Sequence, residues 1–246
     1  MPRLCLLLLL LTVPTFAQSG PSEDMPEVLF LDKTDEYPTW VRADRVLDAK
    51  GNVDSTLFQQ AYVDLLEKLF STHPGGKSCM GVDEKYVREG ADRVVTFEET
   101  VHGADWIFSG KITGKAGGFS QDQPGTLLRV EPTRVLHGPR DRNYPHYIFL
   151  PAGDFSVGTM NFCVTDVLYT AVPEVDDQVL LMVRLDWFTR GEILWGLSDH
   201  RLFILGASEG ARFSPRVKFG DKWLSPDTFD PLATAEALLE GGVDEQ

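Results

Sequence analysis

The stretch Ala104-Asp105-Trp106-Ile107-Phe108-Ser109-Gly110-Lys111-Ile112 marks a change of hydrophobic period in the chain. Trp106, Phe108 and Ile112 alternate with Ile107, Ser109 and Lys111, which is the two-residue period of a strand. Further short apolar runs follow at Leu127–Val130, Val135–Leu136, Tyr147–Leu150, Val179–Leu185 and Leu202–Leu205, with Gly, Pro, Asp and Asn in the gaps. Strands punctuated in this way predict an antiparallel sheet rolled into a closed or nearly closed barrel or sandwich. Pro132 interrupts one of them, so that strand is expected to lie at an edge or to carry a bulge.

Upstream the period is helical. Leu57, Phe58, Ala61, Tyr62, Leu65, Leu66 and Leu69 recur at helical spacing, with Asp54 or Ser55 as the N-cap and His73-Pro74-Gly75-Gly76 as the stop. A weaker helical pattern runs from about Asp83 to Gly103 and breaks near Gly90. Residues 54–103 are therefore expected to form a helical extension that docks on the sheet domain of residues 104–225. Before it, residues 18–53 read as an exposed leader, a short strand within Trp40–Leu47 and a turn at Ala49-Lys50-Gly51-Asn52. After the sheet domain, residues 226–246 carry six acids and no base, with Asp230 as cap, Pro231 at the first position and Gly241 at the end of a short helix.

The start of the chain reads as a secretory signal. Arg3 precedes an apolar run of ten residues from Leu4 to Val13, and Thr15-Phe16-Ala17 offers a small-x-small cleavage pattern. Ten apolar residues fall short of the ~20 that a spanning helix needs, so no membrane span is expected after cleavage. The expected location is periplasmic or extracellular, with Gln18 at the mature N-terminus. Cys79 and Cys163 then remain as an even pair in an oxidising compartment, and a disulfide between them is expected.

The whole chain of 246 residues has 43% hydrophobic and 24% charged residues, enough apolar material for a core. Its formal charge of −14 opposes a nucleic-acid partner, which would be held by clustered Lys and Arg on phosphates.

Several short motifs imitate catalytic or ligand sites. Gly206-Ala207-Ser208-Glu209-Gly210 has the spacing of a hydrolase elbow, but no helix pattern follows and the last histidine, His200, precedes it. Ser198-Asp199-His200 places triad residue types side by side, which is not triad geometry. Gly110 to Lys115 is one residue short of a phosphate loop, and Ala116 stands where Ser or Thr is required. Asp48, Asn52 and Asp54 suggest a calcium loop, yet Lys50 sits at its third position and Gln59 replaces the bidentate acid. His73, His102, His137 and His146 show no metal-ligand spacing. No catalytic residue, cofactor or metal ligand is assigned. Arg134, His137, Arg140 and Arg142 form a basic cluster beside Gly138-Pro139, and Trp187 and Trp195 bracket a loop. Arg134, Arg140, Arg142, Trp187 and Trp195 are the candidate partner surface.

The Ala104–Ile112 stretch also resembles the opening of the barrel in a group of secreted bacterial proteins. The resemblance continues through Thr126, Val130, Arg134-Val135-Leu136 and Gly138, then Pro151-Ala152-Gly153, Asp177-Gln178-Val179-Leu180-Leu181 and the turn from Gly206 to Gly210. Pro132 and the extra residue before Val135 depart from that pattern. Over residues 104–223 the resemblance implies an OB-like barrel, loosely similar to netrin and metalloprotease-inhibitor barrels. Those inhibitors place an N-terminal cysteine on the protease zinc, which a chain beginning at Gln18 does not do. The expectation is an α+β protein, a small antiparallel OB-like barrel with a helical N-terminal extension and a short C-terminal helix. Its expected role is that of an exported, non-catalytic interaction module for a protein or envelope component. A hydrolase with a site assembled from distant residues, or a protease-inhibitor-like protein, is the alternative.

Overall fold

The computed structural model describes residues 25–30, 34–72, 75–81, 96–120, 123–165, 172–184, 189–190, 193–194, 201–205, 218–219, 222–223 and 229–241. The proposed signal, Trp187, Trp195, Ser198-Asp199-His200 and Gly206 to Gly210 lie outside these residues.

The strands are β1 (Val28–Leu29), β2 (Trp40–Arg42), β3 (Lys77–Gly81), β4 (Trp106–Ser120), β5 (Gln123–His137), β6 (His146–Leu150) and β7 (Gly153–Val157). They continue as β8 (Met160–Thr165), β9 (Gln178–Val183), β10 (Thr189–Arg190), β11 (Ile193–Leu194), β12 (Arg201–Leu205), β13 (Lys218–Phe219) and β14 (Lys222–Trp223). The helices are α1 (Gln60–Thr72), α2 (Phe97–Gly103) and α3 (Pro231–Gly241).

The sheet is organised around the β4–β5 hairpin, whose strands are 15 residues each. On its other edge β4 serves two neighbours, β9 along Trp106–Lys111 and β2 along Gly118–Ser120. The full order is β1-β2-β4-β5-β6-β11-β10, with β9 on β4 and β12 on β9. β3, β8 and β7 make a second, three-stranded sheet, and β13 pairs with β14.

This arrangement corrects the expected barrel. Among the described residues no ladder joins β12 to β10 or β11, so the sheet stays open. The burial explains why. A small barrel keeps one apolar face inside, whereas here both faces of the β4–β9 region are covered. Trp106, Phe108, Ile112, Val179, Leu181 and Val183 pack on one side with residues of β5, β6 and β12. Ile107, Leu180, Met182 and Phe203 face the other side, where α2 contributes Phe97 and Val101 and α3 contributes Ala235.

A helical N-terminal extension is not seen either. Two small strands precede the first helix, and Met25, far from being an exposed leader residue, is 3% exposed in a cluster with Trp40, Leu127 and Phe149. Residues 54–103 hold α1, the strand β3 and α2; residues 82–95 lie outside the described set. α1 begins at Gln60 because Asp54 is used elsewhere: its Oδ1 accepts from Thr56 N at 3.0 Å and Thr56 Oγ1 at 2.7 Å, a local turn. Val63 and Leu66 bury the inner face of α1 against Phe119, Phe155 and Phe162. Leu65 of the expected stripe points outward, 56% exposed. The adjacent Leu65 and Leu66 are about 100° apart on a helix, so one of them leaves the core face.

Other local readings hold. Thr133 is an extra residue opposite the Ser109/Gly110 step, so β5 is bulged beside Pro132. Asp230 caps α3, its Oδ1 accepting from Leu232 N and Ala233 N at 3.0 Å each. Cys79 and Cys163 face each other in the parallel β3–β8 ladder, Cα atoms 4.5 Å apart, and are disulfide-bonded. The bond ties the edge strand after α1 to the small sheet. No helix among the described residues is long and apolar enough to cross a membrane.

Candidate functional site

The basic cluster sits where β5 ends. Over its first half β5 is flanked by both β4 and β6, but β6 stops pairing at Val130. From Glu131 to His137 the outer edge of β5 has no strand partner among the described residues. Gly138, at φ 90°, then turns the chain into the β5–β6 loop of residues 138–145. A side chain there would press on the carbonyl of Asp105 and on Trp106, so the position needs glycine for both its dihedral and its space.

The loop returns over Trp106. This residue is fully buried, stacks on Phe108 with centroids 4.1 Å apart, and meets the edge of His146 at 4.8 Å. The Arg142 guanidinium carbon lies 5.9 Å from the Trp106 ring centroid, within cation–π range. His146 Nε2 and the Arg142 carbonyl are 3.3 Å apart, and Tyr144 lies 4.7 Å from the His146 ring, so the inner part of the loop is tied down. Trp106 Nε1 and Arg142 Nη1 are both buried donors that meet no acceptor among the described residues.

Beside the loop runs a groove of about 560 Å³ between the β5 edge and α3. Pro132, Val135, Leu136 and Leu239 supply its apolar lining. Arg134, Arg140 and Asn143 stand on one side, and Glu236 and Glu240 of α3 on the other. Arg134 is ion-paired with Glu236. Thr133 Oγ1 donates to the Ser109 carbonyl at 3.1 Å, which holds the bulge beneath the groove.

Of the five candidate surface residues, the structure therefore brings Arg134 and Arg140 to one groove and turns Arg142 inward onto Trp106. His137 stays exposed at the end of β5. The acidic wall from α3 was not legible in the sequence, because nothing local shows which strand edge a C-terminal helix will cover.

The imitation motifs resolve as structure where they are described. Gly110 to Lys115 is extended within β4, not a loop around phosphate. Asp48 Oδ1 accepts from Lys50 N at 2.8 Å and Asn52 N at 2.9 Å, closing a turn in which Gly51 has φ 84°. The hydrogen bond from the Asn52 backbone, and then that from Lys50, holds the Asp48 carboxyl below its usual pKa. No group of three or more His, Cys, Asp or Glu is placed to hold a metal among the described residues. No protein-family model matches the chain, and the search of curated proteins finds no significant match.

Proposed function

We propose that this chain is an exported, non-catalytic binding module that meets a protein or envelope component at the β5–β6 end of its sheet. The observation that carries this reading is the groove between the partnerless edge of β5 and α3, an apolar floor with a charged rim. Such an edge invites strand addition, but Pro132 lacks an N–H and the Thr133 bulge twists the strand, two devices that block it. The groove therefore offers side chains rather than a ladder. The Leu4–Val13 run, the Thr15-Phe16-Ala17 pattern and the Cys79–Cys163 bond support the exported setting.

The test is co-purification on the tagged full chain from the envelope or medium, compared with the variant Arg140→Glu/Glu240→Arg. Both positions are exposed and the net charge is unchanged, so folding is preserved. An envelope protein enriched by the wild type and lost from the variant, at equal melting temperature, is the expected result. Equal enrichment by both proteins would contradict the reading.

A further inference from the structure

Four charged side chains line the groove between β5 and α3, and only two of them are matched. Glu236, Leu239 and Glu240 stand at positions i, i+3 and i+4 of α3, so they form one stripe of that helix along the groove. Arg134 on β5 is ion-paired with Glu236 and bridges the two walls. One turn further along α3, Glu240 is exposed and in no ion pair among the described residues. The same holds for Arg140 on the β5–β6 loop. Asp141, next to Arg140 in the chain, does not line the groove. The groove thus offers an apolar floor of Pro132, Val135, Leu136 and Leu239, with one uncompensated cation on the loop wall and one uncompensated anion on the helix wall.

We propose that the groove seats an amphipathic helix of a protein partner; this rests on the binding-module reading above. The partner's apolar stripe lies on the floor, an acidic side chain on one flank meets Arg140, and a basic one on the other flank meets Glu240. An extended segment fits poorly. Its N–H and C=O groups would lose water over the apolar floor, and Pro132 and the bulge at Thr133 deny them a ladder on β5. A helix satisfies its own backbone and presents only side chains. One free charge of each sign suits neither a polyanion nor a polycation. It also sets which way the partner helix runs, because a helix turned end for end would bring like charges together.

The experiment is a fluorescence-anisotropy titration of the full chain into labelled, capped helical peptides of about 15 residues, a length at which a designed helix holds in water. All carry the same leucine stripe. One has glutamates on one flank and lysines on the other, the second has glutamates on both flanks, and the third has lysines on both. A fourth is the mixed peptide with two internal prolines, which cannot stay helical. The mixed helix is expected to bind about fivefold more tightly than either single-sign helix, as suits two exposed charge pairs. The proline peptide is expected to bind far more weakly than the mixed helix. Two variants at exposed positions should switch the preference: Arg140→Glu toward the lysine helix, and Glu240→Arg toward the glutamate helix. Equal binding of the three helices, no binding of any, or a preference that both variants leave unchanged overturns the inference. A proline peptide that binds as tightly as the mixed helix overturns the helical form of the partner. If the helices fail while co-purification still depends on the groove, this inference falls and the binding-module reading stands.

Discussion

Removing the Cys79–Cys163 bond is the perturbation whose size the structure specifies most closely. The bond closes a loop of 84 residues that contains α2, the β4–β5 hairpin and β6. In the chain-entropy model a loop of that length takes about 15 cal/mol/K from the unfolded ensemble, or ~4.6 kcal/mol at room temperature. The native side loses little in return. Cys163 is already buried at 8% exposure and stands directly opposite Cys79 in a ladder of five residue pairs, so Cys79→Ala/Cys163→Ala leaves the strands in register. Urea unfolding followed by circular dichroism should therefore show a loss of ~4–5 kcal/mol and a midpoint lowered by roughly 2 M, given the usual denaturant slope. Amides of β3, an edge strand held on one side by β8, should lose protection first. A loss under ~1 kcal/mol would mean that the bond does not restrict the unfolded chain as its sequence separation of 84 residues requires.

Leu66→Ala should cost ~2–5 kcal/mol, because Leu66 is 1% exposed against the β7–β8 aromatics, while Leu65→Ala, 56% exposed, should stay within ~0.5 kcal/mol; thermal melts of both variants check the pair. Asp230→Ala should cost ~1 kcal/mol by freeing the first amides of α3, and the loss should be smaller for Asp230→Asn, measured by the same melts. The hydrogen bond from Arg42, and then its charge, hold the Asp44 carboxyl below its ordinary value of 3.8. Its stabilising effect is therefore full above that ordinary value and is lost as pH falls through the lowered one. The stability difference between wild type and Asp44→Asn should be constant near neutrality and vanish in strong acid; a difference that grows as pH falls would contradict the assignment.

The sequence reads well where the signal is local. Alternation at Trp106–Ile112, the apolar runs near residues 127, 147, 179 and 202, Pro132 at a bulge and the Asp230-Pro231 start of α3 all appear in the structure as expected. The expected barrel closure does not form; closure depends on which edges meet, and alternation is silent about that. One clue was present: the run Val179-Leu180-Leu181-Met182-Val183 is apolar on both faces, which fits a sheet covered by helices better than a barrel wall. The β7–β8 hairpin was also legible, in Phe155 and Val157 against Met160, Phe162 and Val164 around Gly158-Thr159. So was the Thr96/Glu99 capping box of α2, which lies inside a longer, weaker helical pattern. The site was half legible. The basic cluster is plain in the sequence, but the packing of Arg142 on Trp106 and the Glu236 wall arise between segments about 40 to 130 residues apart.

The groove between β5 and α3 is the surface proposed to meet a partner. Site-specific photo-crosslinking in the full chain tests it directly, with the reactive group at Asn143 or Glu240 on the groove and at Glu67 on the solvent face of α1 as the control. One discrete adduct is expected from both groove positions, absent from Glu67 and lost on adding Arg140→Glu. An adduct from Glu67 with none from the groove would contradict it.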